Sequence, residues 1–307
     1  IVTSLISGIP LITNVSVRNT HPVNGSLMLA WQKPGQLDTI PANGPYEYLI
    51  YRVTGVAGTD WELINTLPTT DLNDTVYVDT LINTLDTGWI YRVELYNNAA
   101  GNRFLIGDPG IASSLFLTAL TGDRKMRFTL ARNVPWINTN YDFYRLEGGN
   151  WQLVGNTNQL EFTDPNLENG TEYCYYVVSS GGYQGEGMPK DLVNLSQRTC
   201  AVPVDNEPPC IPALTVYSQC DSMYNMVRWT IEDPLCYEDV AGYNLYYKQT
   251  TGEELGLLVS FDDRDILKYI HSLPDYVAGC YAVSAFDALG NESPLSPMIC
   301  VDSCNFY

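Results

Sequence analysis

Positive charge is scarce in this chain. Sixteen Lys and Arg stand against 35 Asp and Glu, a net charge of −19 over 307 residues. Phosphate binding needs clustered cations, so this balance argues against a nucleic-acid partner and against an anionic membrane surface. An acidic surface keeps a protein soluble by mutual repulsion, and it leaves calcium sites in acidic loops as a second reading. Histidine is nearly missing: His21 precedes Pro22 in a turn, and His271 lies in a short strand. Two His so placed do not support a Ser-His-Asp set. No apolar run reaches the roughly 18 residues of a membrane-spanning helix, which excludes membrane insertion by a helix. No window of about 12 residues sustains helical periodicity. No Gly-rich loop opens a helix, which removes phosphate binding of the P-loop kind. Cysteine is absent before Cys174, and the eight that follow contain no CxxC pair. An even count with almost no histidine points to disulfides and an oxidising compartment.

Aromatic residues are plentiful, with 22 Tyr, and 24 Gly and 18 Pro supply turns. The stretch Leu167–Ser180, LENGTEYCYYVVSS, alternates large residues at period two after an Asn169-Gly170 turn, the pattern of a half-buried strand. Variants recur as LDTGWIYRVELY at 85–96 and YVAGCYAVSAFD at 276–287. Aligned on Tyr91, Tyr175 and Tyr281, the copies lie 84 and 106 residues apart, about the length of one small β-sandwich. The expectation is an all-β chain of three tandem immunoglobulin-like sandwiches, 1–118, 119–203 and 204–307. Pro203, Pro208 and Pro209 mark a linker before the third.

The order of the pieces carries a resemblance. Trp31 in a second strand, Tyr48-Leu49-Ile50-Tyr51-Arg52 as a third, and a G-x-x-[YW] entry to the sixth resemble fibronectin type III domains. Tyr173 takes the place of that family's tyrosine corner, and Gly279 shows its loss in the third unit. The second unit departs in having Phe128 where Trp is expected, and its first strand is missing or fused to SSLFLTAL, which implies a stiff joint with the first unit. Strand ends of such a sandwich fall at two poles, which pairs Cys174 with Cys200, Cys280 with Cys300, Cys210 with Cys236 and Cys220 with Cys304. A bridge from Cys220 to Cys236 would have to span a whole strand, far more than the ~5.5 Å between bridged Cα atoms.

The third unit ends in CVDSCNFY. With CYEDVAGYNLYY and GCYAVSAFDALGNESPLSP before it, this resembles the Cys-rich module preceding a gliding-motility-associated C-terminal domain of Bacteroidetes-type surface proteins. The resemblance implies an extracellular or cell-surface location and, as partner, the type IX secretion machinery, engaged through a sorting domain downstream. The opening IVTSLISGIPLI lacks the charged start of a signal peptide, so an upstream signal and a longer parent protein are expected.

Candidate sites are few. Asp233, Glu238 and Asp239 in DPLCYEDV form a candidate calcium loop without EF-hand spacing, and no other cofactor is expected. Among the tryptophans, Trp136 lies on an apparent loop and is the candidate for ligand stacking; Trp89 and Trp151 suit core packing. The carboxylate runs Asp71/Asp74, Glu253/Glu254 and Asp262/Asp263/Asp265 read as solvated turns rather than a glycosidase pair. Three readings remain: a non-catalytic spacer of an exported protein, an adhesin whose loops bind a glycan or a surface protein, or, compatible with the first, part of a secreted enzyme whose catalytic domain lies upstream.

Overall fold

The computed structural model describes residues 8–302 apart from residue 36, residue 251 and residues 273–277. The chain divides into two compact units, Ile1–Val204 and Asp205–Tyr307. Runs of Val, Ile, Leu and Tyr interleaved with polar residues make strands, because β-branched and aromatic side chains suit a pleated, half-buried surface. The first unit opens with β1 (Leu11–Asn19), β2 (Gly25–Gln32), β3 (Tyr46–Thr54), β4 (Glu62–Thr69), β5 (Val76–Ile82), β6 (Trp89–Ala99), β7 (Asn102–Leu105) and β8 (Ile111–Ser113). Sheets β1-β2-β5 and β4-β3-β6-β7 enclose one core, with β8 also on β6. It continues with β9 (Phe116–Gly122), β10 (Lys125–Ala131), β11 (Ile137–Glu147), β12 (Asn150–Thr157), β13 (Glu161–Pro165), β14 (Tyr173–Gly182), β15 (Leu192–Leu195) and β16 (Thr199–Ala201). Here sheets β13-β10-β9 and β12-β11-β14-β15 enclose a second core, with β16 on β14.

The second unit holds β17 (Ala213–Gln219), β18 (Tyr224–Thr230), a short helix α1 (Pro234–Asp239), β19 (Gly242–Lys248), β20 (Gly256–Phe261), β21 (Lys268–Ser272), β22 (Gly279–Phe286) and β23 (Ile299–Val301). Its sheets are β17-β18-β21 and β20-β19-β22-β23. The fold is therefore three immunoglobulin-like sandwiches of fibronectin type III topology, with a three-stranded sheet against a five-stranded one in the first two and against a four-stranded one in the third.

Each sandwich is centred on a fully buried tyrosine of its sixth strand: Tyr91, Tyr175 and Tyr281. A buried phenol must find a partner. Tyr91 donates to Asp79 Oδ2 at 2.7 Å, and Arg52 Nη1 reaches the same carboxylate at 2.9 and 3.1 Å. The second sandwich repeats this: Tyr175 donates to Asp164 Oδ2 at 2.7 Å and Arg145 Nη1 at 2.6 Å. In the third, His271 replaces the aspartate and Tyr247 the arginine. Tyr281 Oη lies 2.9 Å from His271 Nδ1 and accepts from Asn225 Nδ2 at 2.9 Å. Tyr247 lies edge-on to His271, with ring centroids 4.7 Å apart. Burial first, then the Asp79 charge, pushes the Tyr91 phenol well up; burial pushes Tyr281 up to about 12.

The same register corrects one alignment. The amides of Trp31, Leu130 and Trp229 donate to the carbonyls of Thr75, Leu160 and Leu267, each four residues before the partner of the central tyrosine. Leu130, not Phe128, thus holds the tryptophan position in the second sandwich. The period-two pattern along β10 fits either alignment, and only cross-strand pairing decides. Tyr173 does form the expected corner, its hydroxyl accepting from the Glu168 amide at 3.0 Å. At Gly279 a Cβ would meet the Tyr247 ring at 2.3 Å, and the Tyr247 hydroxyl donates to the Ala278 carbonyl. A tyrosine from β19 does the work of the lost corner.

The first two sandwiches share a seam. Only Ser114 and Leu115 separate β8 from β9. A boundary after residue 118 would cut β9, a single strand paired with β10 from Phe116 to Gly122. Across the seam Val15 N donates to Asn194 Oδ1 and Asn14 Nδ2 to the Val193 carbonyl, both at 2.7 Å. Leu195 N donates to Ser16 Oγ, and Tyr183 Oη to the Ile12 carbonyl at 2.8 Å.

Two outcomes test these centres. Asp164→Ala leaves Tyr175 and Arg145 without their shared acceptor and should destabilise the first unit by about 3 kcal/mol, whereas Asp164→Asn, which still accepts the phenol, should cost less; urea unfolding separates them. Burial lowers the His271 pKa below its ordinary 6.5. The unfolded chain then binds a proton on that ring at a higher pH than the folded chain does, so stability present above about pH 6.5 is lost as pH falls below it. The urea midpoint of the second unit should drop between about pH 7 and 5, and His271→Gln should flatten that part of the drop.

Candidate functional site

The cysteines clamp strand ends. Cys174 and Cys200 are bonded across β14 and β16, and Cys280 and Cys300 across β22 and β23, in each case as direct register partners. Cys210 joins Cys236, tying the segment before β17 to α1. Cys220 is also disulfide-bonded. Its expected partner Cys304 lies outside the described residues, as does Tyr307 of the terminal motif.

The candidate calcium loop is rearranged. Asp233 caps α1, its Oδ1 accepting from Leu235 N at 2.9 Å, as the residue before a Pro-led helix commonly does. Glu238 points its side chain to solvent, and its carbonyl accepts from Arg264. Asp239 alone of the three joins an acidic group, and its neighbours there are Asp205 and Asp287, with carboxylate oxygens all within 4.8 Å. These three come from the segment before β17, the end of α1 and the turn after β22, so local spacing could not reveal them. Oxygen ligands of this kind suit a hard cation such as calcium, which takes about 6–8 of them. Asp287 is nevertheless well supplied by the chain itself. Its Oδ1 accepts from the amides of Leu289 and Asn291 at 2.8 Å each, and its Oδ2 from Asn291 Nδ2 at 2.7 Å. The turn is completed by Gly290 at φ 87°. The other acidic group, Glu172 with Cys174 and Cys200, contains disulfide sulfurs and offers no thiolate.

The stacking candidate Trp136 is not on the surface. It is 3% exposed, packs 5.8 Å from Tyr183 and belongs to the core cluster that contains Ile12 of β1. Its Nε1 donates to Asn138 Oδ1 at 2.8 Å. Trp136 seals the seam, because β1 and the Tyr183 loop close over a segment that reads as an open loop. Trp89 lies under Arg52 and donates to the Asn83 carbonyl. Trp151 on β12 is half-exposed, as are Trp61 and Trp89, and its ring stands edge-on to Tyr176 at 4.7 Å and beneath Arg198 at 5.3 Å.

Both imidazoles serve the fold. His21 Nδ1 accepts from the amides of Val23 and Asn24, and His271 Nδ1 meets Tyr281. No described helix is long and apolar enough to cross a membrane.

No protein-family model and no curated protein matches the chain. Among solved structures it is similar to the crystal structure of chicken CNTN1 FN1-FN3 domains, at 14% identity and a TM-score of 0.28, over 96% of this chain and 99% of that one.

Proposed function

We propose that residues 1–307 are a non-catalytic structural and interaction region of an exported protein, a tandem-sandwich spacer on the outside of the cell. The seam carries this reading: two sandwiches joined by two residues and cross-bonded between β1 and β15 resist independent motion, which suits a part that holds other domains at a set distance. The disulfides support an oxidising location, since such bridges persist outside the cytoplasm. They also close the last strands of the second and third sandwiches against fraying. In this reading a sorting domain follows the CVDSCNFY run and delivers the protein through the type IX secretion machinery, as gliding-associated surface proteins are delivered.

The test is a replacement within the full-length parent protein. Exchanging residues 1–307 for three unrelated fibronectin type III-like sandwiches should leave surface exposure and the parent's activity intact. Loss of that activity while surface exposure is retained would contradict the spacer reading.

A further inference from the structure

The outer face of the β12-β11-β14-β15 sheet carries an aromatic row. The hairpin turn Gly148-Gly149, with φ values of 55° and 84° as a tight two-residue turn requires, sets Trp151 opposite Leu146. Tyr144 and Tyr176 are direct register partners on the same face, stacked 5.0 Å apart and 6° from parallel. Where this row meets β1, a cleft of about 260 Å³ opens, lined by Trp151, Tyr176, Arg18 and Arg198 among others. The amide of Arg198 donates to Thr20 Oγ1 at 2.9 Å and fixes the cleft's rim to the end of β1.

Arg198 differs from the other arginines of the first unit that lie over an aromatic ring. Arg52, Arg92, Arg103 and Arg145 each lie over an aromatic ring, and each is neutralised by a carboxylate: Asp79 and Glu62, Glu94, Glu47, and Asp164 and Glu147 respectively. Arg198 lies over Trp151 in the same way, yet among the described residues neither it nor Arg18 forms an ion pair with a carboxylate. In a chain of net charge −19, this places two arginines without carboxylate partners side by side at the edge of an aromatic platform.

We propose that this cleft binds the carboxylated sugar of an acidic glycan, a uronic acid residue. The Trp151 and Tyr176 rings supply apolar surface for the sugar's C–H face. Arg198 and Arg18 supply guanidinium donors, which match a carboxylate in paired hydrogen bonds. The volume lies just below the ~300 Å³ at which pockets for drug-sized ligands begin, and suits one sugar ring with its chain running out over the exposed sheet. The inference is independent of the spacer reading, and its failure would leave that reading standing.

The test is calorimetric titration of the full oxidised chain with tetragalacturonate, with its methyl ester, with a neutral tetrasaccharide, with dextran sulfate and with oligoglutamate. Expected is one saturable site for tetragalacturonate, weakened by salt. Binding should fall roughly tenfold or more on Arg198→Ala, an exposed position that leaves the fold intact, and on Trp151→Ala. The methyl ester and the neutral sugar should bind at least roughly tenfold more weakly, since each lacks the charge that the arginines meet. Absence of binding at millimolar tetragalacturonate would overturn the proposal, as would affinity unchanged by Arg198→Ala. Equal affinity for the methyl ester, or oligoglutamate or dextran sulfate binding as tightly, would overturn it too, showing respectively no carboxylate recognition and a general polyanion surface.

Discussion

The two residues between β8 and β9 constrain the first unit more than any other feature. Ser114 and Leu115 leave the chain no slack. Ser113 must serve the first sandwich through β6 and also meet Asn133 of the second, its amide donating to the Asn133 carbonyl and its Oγ accepting from the Asn133 amide, both at 2.7 Å. With the sandwiches held this close, β1 lies beside β15, and exposed backbone on each side needs partners. Asn14, Ser16 and Asn194 provide them as side chains, so the seam is sewn by polar groups reaching across rather than by a continuous ladder. Trp136 then fills the apolar end of the seam, and Arg18 and Thr20 at the other end meet Arg198 to form the cleft.

Inside each sandwich a second constraint operates. The sixth-strand tyrosine brings a hydroxyl into the core, and the fold answers it in two chemically different ways. In the first two sandwiches an aspartate from the fifth strand accepts the phenol's hydrogen bond and is neutralised by an arginine from the third. In the third all the partners are neutral: an imidazole, an amide and a second phenol. A buried carboxylate is tolerable only when paired. The third sandwich accordingly has neither member of the ion pair, with Tyr247 at the arginine position and His271 at the aspartate position. The third sandwich thus carries at its centre an imidazole whose pKa burial lowers, and mild acid should weaken it.

Much of the fold was legible in the sequence. Tyr91, Tyr175 and Tyr281, with the glycines before them, mark three sixth strands because a strand's alternation is a local property. The bridge between Cys174 and Cys200 was legible for the same reason, since both lie on strands whose ends share a pole. The boundary at 114 was not, because in IASSLFL only two serines interrupt the apolar residues there, with no Gly or Pro to mark a break. Trp136 reads as a loop residue because its burial depends on Ile12 and Tyr183, which no local pattern connects to it. Asp205 and Asp287 escaped notice because only the folded chain brings them to Asp239. Arg18 and Arg198 are 180 positions apart, and their convergence on Trp151 is a product of the seam alone.

The seam makes one body of the two sandwiches of the first unit. Native-state hydrogen exchange of the full chain measures this directly, through the slowest amides of β2 and β6 in one sandwich and of β10 and β14 in the other. One body predicts a common opening free energy for both sets, and a fall in both when Asn194→Ala removes the acceptor of the Val15 amide. Two distinct opening free energies, with the β2 and β6 amides untouched by Asn194→Ala, would show sandwiches that open separately and would contradict the account.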